Sequence, residues 1–101
     1  MDPAGLPALQ DAIRDMHGCE STWLSSVPVV ESFEGAVAWD GEVQVFALKD
    51  HPTAKRCYAW SISAWPKERR RFFAILHAPP IDGPIAAVRS AIVADAKSKR
   101  P

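Results

Sequence analysis

Val37-Ala38-Trp39-Asp40-Gly41-Glu42-Val43-Gln44-Val45-Phe46-Ala47 decides the architecture of this chain. Val37, Trp39, Gly41, Val43, Val45 and Ala47 alternate with Ala38, Asp40, Glu42, Gln44 and Phe46, the period of two that belongs to a strand. Asp40-Gly41 alone would read as a hairpin turn. The alternation runs through it in phase, so the whole stretch reads as one strand. Gly41 then marks a bulge or a place where a large ring packs on backbone.

The neighbouring segments follow. Trp23 to Glu34 is rich in Val and aromatic residues and contains Pro28, which cannot donate to a ladder; this is an edge strand. Glu34-Gly35 turns the chain, and Lys49 to Thr53 forms the next loop. A third strand runs from about Lys55 to Ala64, with Tyr58, Trp60 and Ile62 on one face. A turn around Lys67 leads into a fourth, from about Arg70 to His77, which Pro79-Pro80 ends. Before the strands, Leu6, Leu9, Ile13 and Met16 form one face of a helix from about Pro7 to His17, closed by Gly18. After them, Asp82 or Gly83 caps a final helix that begins at Pro84 and carries Ile85, Val88 and Ile92, padded by Ala91. The expected fold is α+β, α-β-β-β-β-α. It is a four-stranded antiparallel meander with both terminal helices on one face, because each helix has a single stripe and the sheet needs a cover.

The chain has 101 residues, enough for one core. A single α+β domain is expected over residues 6–97, with flexible termini at 1–5 and 98–101. No apolar run approaches the ~20 residues needed to span a bilayer, and the first residues lack the pattern of a signal peptide. A cytoplasmic protein with no membrane partner is the expectation. Cys19 and Cys57 have no CxxC spacing and are expected to be unbridged. His17, His51 and His77 show no metal-ligand spacing, and no residue pattern calls for a metal or a cofactor.

The charges are sorted by half. Residues 1–48 hold eight acids and one base, a net of −7; residues 49–101 hold four acids and eleven bases, a net of +7. Such a chain either folds one half against the other or leaves a charged face for a partner. The basic run around Lys67, Arg69, Arg70 and Arg71, flanked by Trp65, Phe72 and Phe73, has the residue types of a nucleic-acid ribbon. The near-neutral balance argues instead that these bases meet the acids of the second strand across the sheet.

The third and fourth strands are apolar on both faces, unlike a sheet with one solvated side. Under the expected register, Tyr58, Trp60 and Ile62 join Phe72, Ala74 and Leu76 beneath the helices. Phe46, Ala59, Phe73 and Ile75 then lie on the other face. That face reads as a self-association surface for a homodimer or small oligomer, unless Cys19 to Leu24 folds back over it. Trp23 and Trp65, in less regular segments, are the candidate lining of a pocket for a small ligand. Cys57 and His77 fall side by side in the same register, the elements of a nucleophilic pair, with no third group to orient them.

The string RRFFAILHAPPIDGPIAAVRSAIVA from Arg70 to Ala94, with HPTAKRCYAWS before it, resembles short bacterial reading frames of the kind carried on integron gene cassettes. That resemblance implies a bacterial single-domain protein and assigns no activity, cofactor or catalytic residue. The leading functional expectation is a non-enzymatic interaction or binding module that self-associates through the uncovered sheet face. A nucleic-acid-binding protein using the basic hairpin tip is the alternative. A small enzyme built on Cys57 and His77 comes third.

Overall fold

The computed structural model describes residues 6–64 and 69–98. The order is α1 (Leu6–His17), β1 (Ser21–Phe33), β2 (Ala36–Leu48), β3 (Arg56–Ala64), β4 (Arg69–Leu76) and α2 (Pro84–Ser98). The strands form one antiparallel sheet in the order β1-β2-β3-β4, so the α+β meander read from the sequence is the fold. Pro28 sits on an edge strand, opposite Glu42. Glu34 and Gly35 both have positive φ, 53° and 84°, as a two-residue hairpin of the tight primed type requires. Gly18, at φ 72°, donates its N–H to the Arg14 carbonyl at 2.8 Å and closes α1. Gly83 accepts from the Ala87 N–H at 3.1 Å at the start of α2.

One feature of the expected fold is overturned. The two helices lie on opposite faces of the sheet. Leu9 and Ile13 of α1 pack with Cys19, Phe46, Cys57, Ala59 and Ala74. Ala87 and Val88 of α2 pack with Val29, Val43, Val45, Tyr58 and Trp60. The reason lies in β3 and β4. Both their faces are apolar, so both need a cover, and each helix has only one stripe to give.

The expected β3–β4 register was also one residue off. Tyr58 pairs with Ile75, Trp60 with Phe73 and Ala59 with Ala74. A slip of one residue turns every side chain to the other face. Phe73 and Ile75 therefore lie with Tyr58 and Trp60 under α2, while Phe46 and Ala59 lie under α1. Phe46 and Ala59 are fully buried. No uncovered face joins the four, and the basis given for a sheet-face self-association surface is gone.

Smaller departures have local causes. β2 is one strand through Asp40-Gly41, but its bulge is at Ala38, where Glu31↔Trp39 is followed by Ser32↔Val37. The extra residue takes Val37 out of phase with Trp39 and leaves it exposed. A second irregularity falls at Leu24, within β1, so Ser21 to Leu24 is strand and no cover. Met16 is exposed, and Ala12 is buried beside Leu9 and Ile13 instead. In α2 the buried positions are Ala87 and Val88, with Ala91 and Ile92 packed beside them, whereas Ile85 is exposed. The alanines let the helix approach the rings of Tyr58, Trp60 and Phe73 closely.

Candidate functional site

The outer face of α2 departs from an ordinary polar surface. Ile85 and Val93 are 48% and 42% exposed. With Pro80, Ile81 and Ala86 they line an open groove of about 630 Å³. Ala86, Ser90 and Ala94 keep its floor low. Asp82 stands at one end and Lys97 at the other, with Arg89 between them. Arg89 is not a free charge: its Nε donates to Glu31 Oε1 of β1 at 2.6 Å. The signal for this face was present in the sequence. Ala86, Val93 and Ala94 fall on a side of the helix turned away from Val88 and Ile92, so the apolar residues are more than one stripe can use.

A second concavity lies on the opposite side of α2. The β2–β3 pairing reaches only from Ala47↔Arg56 to Gln44↔Ala59, although both strands run on. Trp39 and Trp60 meet there at 5.8 Å between centroids, and Trp60 stacks on Phe73 at 5.0 Å. These rings and α2 enclose about 80 Å³. Arg71 lies 4.9 Å from the centre of the Phe73 ring and pairs with Asp95 of α2 at 2.7 Å.

Cys57 and His77 are not brought together. Cys57 is buried under α1, beside Leu76 in the ladder. His77 accepts or donates at Nδ1 with the Tyr58 hydroxyl, 2.7 Å away, and Tyr58 belongs to the α2 side. Burial, with the neighbouring Cys19 thiol adding to it, pushes the Cys57 thiol up to about 12, the reverse of what a nucleophilic thiolate needs. Burial also raises the Tyr58 hydroxyl. Both cysteines are free, as expected. His51 is a turn residue, its Nδ1 accepting from the Ala54 N–H at 2.9 Å. Among the described residues no cluster of His, Cys, Asp or Glu could hold a metal ion.

Of the candidate pocket pair, Trp23 is 41% exposed and donates Nε1–H to Gln44 Oε1 at 2.9 Å; Trp65 lies outside the described residues. Of the basic set, Lys67 and the side chains of Arg69 and Arg70 lie outside them too. Arg71 is described, and it pairs with Asp95 of its own half and not with an acid of β2. Among the described residues, Asp40 and Glu42 take part in no ion pair; Arg89–Glu31 joins the acidic half to the basic one, and the Lys49 charge acts on Glu20. The expected pairing with strand-two acids is corrected for Arg71; for Lys67, Arg69 and Arg70 it lies outside the described residues. Pairing needs a base within reach, and Arg71 is held on the α2 side over the Phe73 ring.

No family model, no curated protein and no solved structure matches the chain. No helix among the described residues is long and apolar enough to cross a membrane.

Proposed function

We propose that this protein is a non-enzymatic association module that pairs with a second copy through the outer face of α2. The observation that supports this reading is the apolar groove along that helix, with an acid at its start and a base near its end. An antiparallel pair of α2 helices about a two-fold axis is self-complementary. It sets Asp82 of one copy beside Lys97 of the other, twice, and Ala86 against Val93. Arg89 then lies near the axis, where its pairing with Glu31 of its own chain offsets the repulsion between the two copies.

Charge reversal tests both the surface and its polarity. Asp82→Lys places like charges at both ends of the pair, as does Lys97→Asp, and each variant alone is expected to be monomeric. Mixed in equal amounts, the two variants restore both opposite-charge contacts, and a heterodimer is expected. Variants that remain dimeric alone, or that fail to associate when mixed, overturn the antiparallel arrangement.

A further inference from the structure

The cleft where β2 and β3 part has an apolar interior and a charged mouth, the usual make-up of a small-molecule site. Its walls are the rings of Trp39, Trp60 and Phe73, and its floor includes Val88, Ala91 and Ile92 of α2. Trp60 and Val88 are almost wholly buried. The charged groups that line it are Arg71 and Asp95, with side chains 49% and 28% exposed.

We propose that this cleft binds a small zwitterion, an α-amino acid with a short branched aliphatic side chain. Size sets the apolar part. An apolar cavity of about 150 Å³ takes a benzene ring, so about 80 Å³ takes roughly half as many carbons. Charge sets the rest. The planar Arg71 guanidinium suits a carboxylate, and the Asp95 carboxylate suits an ammonium. The two now pair at 2.7 Å. An exposed pair of this kind is weak, so a ligand that carries both opposite charges replaces it with two pairs at little loss. A lone carboxylate or a lone amine makes only one of those two pairs. The side chain enters between the rings, while the ammonium and carboxylate stay at the mouth. The site uses the inward side of α2 and shares no lining residue with the outer groove, so it stands or falls independently of the association surface.

Trp39 and Trp60 supply the readout through their emission, with amide NMR shifts as a second measure. L-valine is expected to give a saturable change, with at least fivefold weaker binding for isobutyrate and for isobutylamine. Arg71→Gln should remove the advantage of L-valine over isobutylamine and strengthen the response to isobutylamine, because no guanidinium then competes for Asp95. Ala91→Leu should fill the cleft and abolish every response, with circular dichroism confirming the fold. Should that variant not fold, the Arg71→Gln comparison decides the matter alone. The proposal is overturned if L-valine gives no saturable change through tens of millimolar, or if isobutanol binds as well as L-valine.

Discussion

The Trp39 indole lies over Gly41, two residues along the same strand. A Cβ at position 41 would come within 2.9 Å of Trp39 Cζ2 and 3.2 Å of Cη2. Trp39 itself rests against Trp60, so moving the ring disturbs that contact. Gly41→Val adds a residue that strands ordinarily favour. Here it should destabilise by roughly 1–3 kcal/mol through overpacking. Urea denaturation measures it, and an unchanged or higher midpoint would show that the ring gives way freely.

Ile75 distinguishes the two surfaces considered for association. It lies opposite Tyr58 under α2, so Ile75→Lys forces a charge into the core. It should cost at least about 2 kcal/mol of folding stability, the scale of losing a buried aliphatic side chain. Val93→Asp on the outer helix face should cost only about 0.5 kcal/mol. Thermal melts of the two variants below the association concentration test this; equal losses would place Val93 in the core.

Alkaline pH should weaken the fold through Cys57. Its thiol moves from an ordinary 9.0 to about 12 in the folded chain. Between those values the unfolded chain has released the proton and the folded chain keeps it. Stability is therefore complete below 9.0 and falls as pH rises toward 12, by up to about 1.4 kcal/mol per pH unit. Burial raises the Tyr58 hydroxyl as well, so part of the slope should survive in Cys57→Ala. A Cys57→Ala variant with the full wild-type slope in this window would show that the thiol does not contribute.

The Arg89–Glu31 pair ties α2 to β1. The Glu31 side chain is only 12% exposed, so Arg89→Met leaves a poorly solvated carboxylate without its partner. A loss of about 1–2 kcal/mol is expected. Arg71→Met, whose partner Asp95 is more exposed, should cost less. Parallel chemical denaturation of the two variants settles the order.

Much of this was legible because the signals were local. The alternation from Val43 to Ala47, the Glu34-Gly35 turn, Pro28 and the Gly18 cap each act within a few residues, and each appears where the sequence put it. Gly41 was legible as a ring-packing position, although the ring belongs to Trp39 of its own strand. The sides of the sheet were less legible. They depend on one residue of register between β3 and β4, and a side-chain period of two gives no penalty-free way to choose when both faces are apolar. Phe73 and Ile75 went to the wrong side for that reason, taking the supposed bare face with them. The outer face of α2 was overlooked because Ile85 was counted toward the core, where the smaller Ala87 and Ala91 fit against the rings.

Sedimentation equilibrium across the micromolar range tests association through α2 most directly, with the wild-type chain run beside Val93→Asp. The account predicts a wild-type mass rising to twice 11.1 kDa, and a Val93→Asp chain that stays at 11.1 kDa with an unchanged circular dichroism spectrum. A wild-type chain that remains monomeric at high micromolar concentration, or a Val93→Asp chain that dimerises as the wild type does, would contradict it.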